Sequence, residues 1–89
     1  MDQNEFTRIL ASDGFEEVVT VVREPNGSLA EHRHPFEAKA LILDGELRIR
    51  TAGQERVYLP GQVFHLALNE LHSEAYGPTG VSYLAGRKP

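Results

Sequence analysis

An 89-residue chain without cysteine has no disulfide frame, no thiolate ligand and no cysteine nucleophile. Its formal charge is −4, from 9 Lys and Arg against 13 Asp and Glu, and Arg87-Lys88 is its longest basic cluster, so it carries no electrostatic footprint for nucleic acid or an anionic membrane. The length fits one domain over residues 1–89. A chain of this size buries only about 60 to 65% of its unfolded surface, and a bound metal or a second subunit would reinforce so thin a core. The N-terminus, MDQNEFTRILASDG, carries acids and lacks an apolar signal core, and no run is long enough to span a membrane; the expected compartment is the cytoplasm.

Within residues 1–14, Phe6, Ile9 and Leu10 fall at i, i+3 and i+4 with Gly14 just beyond, which predicts a short amphipathic helix lying outside the sheet. Phe15 to Glu24 changes character: Val18, Val19, Val21 and Val22 surround Thr20 in a β-branched run that favours a strand. Pro25-Asn26-Gly27 is a turn signal. Ala38 to Leu43 reads as a buried strand, Asp44-Gly45 as a two-residue hairpin, and Glu46 to Thr51 as a strand with Leu47 and Ile49 inward and Arg48 and Arg50 outward. Gln54 to Leu59, Val63 to Leu68, His72 to Tyr76 and Val81 to Ala85 follow, separated by Ala52-Gly53, Pro60-Gly61, Asn69-Glu70 and Gly77-Pro78. About eight short antiparallel strands over residues 15–87 predict an all-β sandwich or barrel.

The chemistry concentrates in Gly27 to Gly45, GSLAEHRHPFEAKALILDG. His32 and His34 stand at i and i+2, so on an extended segment both imidazoles point the same way. With His72 they would form a set suited to Zn, Fe, Cu or Ni. The plainer alternative is a pair of loop histidines on the surface. Glu74, at i+2 from His72, could accept from an imidazole or ligate, though a solvated acid is the default. His65 lies on the face opposite Phe64 and Leu66 and reads as a packed or solvent-facing residue. Tyr58, Tyr76 and Tyr83 could line a pocket or donate a proton.

These residues resemble the cupin family. Its first motif runs glycine, H-x-H, glutamate, glycine, and Gly27, His32, His34 and Gly45 fall into that order; its second, a P-G turn, a strand and a histidine, is matched by Pro60-Gly61-Gln62, Val63 to Leu68 and His72. The match covers about Val18 to Gly86. The resemblance implies a jelly-roll barrel that holds a divalent transition metal (Fe, Zn, Ni or Mn) on His32, His34 and His72 near its mouth. One position departs from the pattern. Six residues before Gly45, where the family carries its metal-binding glutamate, stands Ala38, with Glu37 one place off and turned to the other face unless the strand bulges.

The resulting expectation is a small metal-binding cupin acting on a small molecule, in the manner of a metal-dependent oxygenase or related enzyme. The alternative is a barrel that binds a small molecule or serves structurally without catalysis. A homodimer is expected through the valine-rich edge Phe15 to Glu24.

Overall fold

The computed structural model describes all residues from Met1 to Pro89. One helix, α1 (Gln3–Ser12), precedes six strands: β1 (Glu17–Arg23), β2 (Ser28–His32), β3 (Glu37–Thr51), β4 (Gln54–Tyr58), β5 (Val63–Leu66) and β6 (His72–Lys88). All pairings are antiparallel.

The all-β class and the leading helix agree with the sequence, but the strand count and closure do not. Six strands replace the expected eight or so because two of the anticipated turns do not turn. Asp44-Gly45 does not fold Ala38–Leu43 back on Glu46–Thr51; both halves of β3 pair with β6 instead, through Leu41↔Leu84 on one side and Ile49↔Glu74 on the other. Gly77-Pro78 likewise lies inside β6. The Asp-Gly hairpin preference yields here to a longer ladder, and the excess length is taken up by register shifts between Ile42 and Asp44 and between Gly45 and Leu47. Nor does the sheet close on itself as a barrel would: its path ends at β1 and β4, with β2 paired to β6 and β5 to β3.

Bending two long strands gives two facing layers. One holds β1, the C-terminal half of β6, the N-terminal half of β3 and β5; the other holds β2, the remaining halves of β6 and β3, and β4. Between them lies the main core, with Ala38, Ala40, Ile42, Leu47, Ile49, Phe64, Tyr76 and Tyr83 among its buried members. Alternate residues of the first layer point outward, where Leu41 and Leu84 meet Phe6 and Leu10 of α1 in a second cluster with Phe15. Each of those large side chains contributes about 1.5–3 kcal/mol by leaving water, which secures a helix too short to hold alone.

Both ends of α1 are chemically defined. The Asp2 carboxylate accepts the Glu5 N–H at 2.8 Å, satisfying one orphan donor of the first turn. At the other end Gly14 takes φ +82°, its N–H reaching the Ala11 carbonyl at 3.3 Å and the Phe15 N–H reaching the Leu10 carbonyl at 2.9 Å. That closure delivers Phe15 into the same apolar cluster as Leu10.

At the bend the two long strands touch. Gly45 has φ +82°, and a Cβ there would lie 2.0 Å from the Gly80 carbonyl oxygen. An alanine would meet both a left-handed backbone and a wall of main chain. Gly45→Ala is therefore expected to cost at least about 2 kcal/mol, a fall of roughly 10 °C or more in melting temperature for a chain of this size, measurable by thermal denaturation. A melt within a few degrees of the unmodified protein would show that the pinch carries no strain.

Candidate metal centre

The layers are joined at the bend and open at the opposite end, where β6 begins at His72 and ends near Arg87. There β2, the segment after it and the first turns of β6 bring His32, His34, His72 and Glu74 together, with one ligand atom from each lying within 4.8 Å of the others. His32 and His72 face each other directly across the β2–β6 ladder, their ring centroids 4.3 Å apart. A register shift between Leu29 and His32 makes this possible. Leu29 pairs with Glu74 and packs on the core, so simple alternation would have sent position 31 inward; the extra residue re-aims His32. His34 follows the strand, its carbonyl accepting the Asn69 N–H at 2.9 Å, and its ring lies 4.8 Å from that of His32 and 5.3 Å from that of His72.

Backbone carbonyls set the tautomers. A carbonyl oxygen only accepts, so Nδ1 of His32 donates to Ala30 at 2.7 Å and Nδ1 of His72 donates to Glu70 at 3.0 Å. In a neutral ring Nε2 is then a bare lone pair, and both Nε2 atoms point at one carboxylate oxygen, Glu74 Oε2, at 3.6 Å from His32 and 3.1 Å from His72. Acceptors that face one another repel unless a proton or a cation lies between them. Nε2 of His32 is buried with no hydrogen-bond partner. This orientation, with Nδ1 held by main chain and Nε2 directed to a common point, is the one in which histidines ligate metal. Three imidazole nitrogens and one carboxylate oxygen also form a donor set that first-row divalent ions accept.

Glu74 is the residue that the sequence under-reads. It is not a solvated acid: it is 8% exposed and sits beside His72, which is 1% exposed. Tyr76 Oη donates to its other oxygen, Oε1, at 3.3 Å. Burial, and then the Glu74 charge, push the Tyr76 phenol well above its ordinary range, so it stays a donor. His72, Glu74 and Tyr76 share the inward face by period-2 alternation, the one signal in the sequence that could have found the whole set. Burial likewise raises Tyr83, whose ring lines the cavity beside Glu74. Tyr58 instead packs on Phe64 with ring centroids 5.8 Å apart.

The positions around the family glutamate resolve cleanly. Ala38 points inward and lines the cavity, so that position offers no ligand atom. Glu37 is on the outer face, where its carboxylate lies 2.6 Å from His65 Nε2 and 3.7 Å from Lys88 Nζ. The His65 hydrogen bond, the largest cause, holds Glu37 below the usual carboxylate range. His65 and Glu37 are thus a surface pair, remote from the histidine cluster. The three expected histidines come together, and a carboxylate from β6, Glu74, lies among them.

The mouth is furnished by residues that sequence patterning did not single out. Phe36 stacks on His34, centroids 4.9 Å apart and 21° between planes, and the Arg87 guanidinium sits 4.9 Å from the Phe36 centroid. Desolvation is the main cause that lowers the His34 pKa, followed by the charges of His32 and His72. His34 therefore resists protonation. Beside the cluster, a cavity of about 40 Å³ is lined by His34, Phe36, Ala38, Glu74, Tyr83 and Arg87 among others. That volume holds one or two waters, far below the several hundred Å³ of a typical small-molecule pocket.

No family model matches the sequence, and no curated protein matches it. Solved structures do. A protein of unknown function from Rhizobium leguminosarum superposes with a TM-score of 0.76 at 18% identity, covering 81% of this chain and 68% of that one. An RmlC-like cupin from Shewanella frigidimarina gives 0.70 at 19% identity over 81% of this chain, which spans 64% of that protein's length. The cupin_2 domain of an XRE family transcriptional regulator from Enterobacter cloacae gives 0.69 at 17% identity, over 81% of this chain and 79% of that one. These likenesses show the fold, and the chain has the cupin fold.

Proposed function

We propose that the chain binds one divalent transition metal through Nε2 of His32 and His72, a ring nitrogen of His34 and the Glu74 carboxylate, and that this ion serves a small-molecule ligand at the open end. The observation that carries the proposal is the buried, unpartnered Nε2 of His32, aimed at the carboxylate oxygen that His72 also faces. Fe, Zn, Ni and Mn all accept such a donor set, and which is held depends on geometry and supply as well as on intrinsic affinity. A bound ion would act as a Lewis acid toward an oxygen-bearing ligand or, for iron, as a centre for dioxygen chemistry. With one carboxylate in the set, a divalent ion keeps about one net positive charge, which still favours an anion or hydroxide beside it.

The chain's own residues divide the remaining work. The carbonyls of Ala30 and Glu70 hold two imidazoles in the ligating tautomer. Tyr76 fixes Glu74 Oε1, leaving Oε2 for the ion. The 40 Å³ interior admits a species the size of water or dioxygen, so the body of a larger ligand would lie at the mouth against Phe36 and Arg87. This reading favours chemistry of the oxygenase type or a related conversion. The same small interior also supports a second reading, a metal-dependent binding module without turnover.

Elemental mass spectrometry of tag-free protein tests the proposal directly. Near-stoichiometric metal is expected in the unmodified chain and none in the His32→Ala/His34→Ala variant; failure of the unmodified protein to take up Fe, Zn, Ni or Mn would overturn the proposal. Glu74→Gln keeps the shape but removes the charge, and should weaken metal binding by at least about tenfold in a competition titration with a chromogenic chelator. Equal affinity would show that Glu74 is not a ligand.

The pH dependence has a definite sign. Ligation needs neutral imidazole, and His34 is lowered from the ordinary value of 6.5, so His34 should remain available to metal as the pH falls through 6.5. In the apoprotein the same shift means that the unfolded chain binds the proton more readily. Stability should therefore be unaffected above 6.5 and decline as the pH falls below it, until His34 is protonated in both states. Apoprotein denaturant midpoints between pH 5 and 8 would check this, with His34→Gln expected to flatten the acid side of the profile.

A further inference from the structure

Between β5 and β6 the chain makes a tight turn, Ala67 to Glu70, that closes on itself twice. The Glu70 N–H donates to the Ala67 carbonyl at 3.0 Å, and the Ala67 N–H donates to Oε1 of the Glu70 side chain at 2.8 Å. Asn69 supplies the left-handed residue of the turn at φ +59°, a conformation that asparagine tolerates better than most side chains. Two polar groups of the turn are left over, and both go to the histidine cluster. The Asn69 N–H donates to the His34 carbonyl at 2.9 Å, and the Glu70 carbonyl accepts from Nδ1 of His72 at 3.0 Å. One turn therefore grips two histidines from separate segments of the chain.

Apolar packing does little to hold this turn. Leu68 is 53% exposed and Leu71 40%, and Ala67 and Asn69 also face solvent. His34 lies outside the ladders as well, after β2 ends at His32 and before β3 begins at Glu37. The bond from Asn69 is the one main-chain hydrogen bond outside the helix and ladders that reaches Arg33 to Phe36. The backbone position of His34 then depends on the shape of the turn, and that shape depends on the ring of hydrogen bonds between Ala67 and Glu70. Within the ring the carboxylate makes the stronger bond, because an ionised acceptor holds an N–H roughly twice as strongly as a neutral one does.

We infer that Glu70 is a positioning residue for His34 and His72: by accepting the Ala67 N–H, its carboxylate fixes the turn that sets both residues in the cluster. It does not ligate, since the converging donors belong to His32, His34, His72 and Glu74. The role needs an oxygen acceptor at the end of that side chain, and the charge only strengthens it. Glutamine offers an acceptor on the same stem and alanine offers none. The two substitutions thus separate this role from a direct electrostatic effect on a bound cation, which glutamine would abolish. The consequence for metal affinity rests on the metal-binding reading proposed above, whereas the effect on the two histidines is present in the apoprotein.

Proton exchange with solvent, followed by NMR in the isotope-labelled apoprotein, is the test. In Glu70→Ala the Ala67 and Asn69 amide protons and the His72 Nδ1 proton should exchange at least about tenfold faster than in the unmodified chain, and Glu70→Gln should return them to within about threefold. Ile42→Val, which removes a buried methylene from the core and so lowers stability elsewhere, should leave the three protons within about twofold. In a zinc titration against a chromogenic chelator, Glu70→Ala should bind at least about tenfold more weakly and Glu70→Gln within about threefold of the unmodified chain. Unchanged exchange or unchanged zinc affinity in Glu70→Ala, a Glu70→Gln variant that behaves like Glu70→Ala, or the same acceleration in Ile42→Val would each overturn the inference. Failure of the unmodified chain to take up zinc would overturn the metal-binding reading instead, and the exchange result would then decide the inference alone.

Discussion

The structure depends on the side-by-side course of β3 and β6 through both layers. Their ladder runs from Glu37↔Lys88 to Arg50↔Ser73, interrupted only at the bend. Every other strand attaches to one of these two: β1 and β2 to β6, β4 and β5 to β3. The bend needs main chain to approach main chain, which Gly45 permits by facing the Gly80 carbonyl without a Cβ. Because the strands fold over together, the inward faces of both halves meet in a single core, and the far ends of both layers come to the same open end. The site exists because that end gathers residues distant in sequence.

What distinguishes the site is how strongly its polar atoms are directed before any ligand arrives. Two main-chain carbonyls fix the rings of His32 and His72, and a phenol fixes one oxygen of Glu74. What remains is a set of lone pairs converging on one small space, a costly arrangement in a partly buried setting unless a cation or proton occupies it. Preorganisation of this kind lowers the reorganisation that taking up a cation would need. The stack from His34 through Phe36 to Arg87 then limits access from outside and contributes a positive charge near the mouth.

The carboxylate that lies among the histidines does not stand at the position that the cupin pattern would give it. Position 38 carries alanine on the inward face of β3, and position 74 carries glutamate on the inward face of β6. Both line the same cavity. A metal centre asks for an oxygen within reach of the imidazole nitrogens and is indifferent to which strand supplies it. That placement sets the carboxylate next to His72 and Tyr76, so that one inward row of β6 carries an imidazole, a carboxylate and the hydroxyl that holds it.

The sequence by itself determined the all-β class, the amphipathic helix, the inward alternation of Leu47 and Ile49, and the i, i+2 pairing of His32 with His34, because these follow from short-range periodicity and turn chemistry. That Ala38 stands where a carboxylate is usual came from the resemblance to the cupin motif and not from periodicity. Tertiary structure alone decided the rest. Whether Asp44-Gly45 ended a strand or bent it depended on the competing ladder with β6, a partner some forty residues away. The face on which His32 lies depended on a bulge whose existence is visible only against Glu74 and His72 in the neighbouring strand. Whether Glu74 was solvated or a candidate ligand depended on what covered it, since alternation gives a side chain its face while only packing decides whether that face is water or protein.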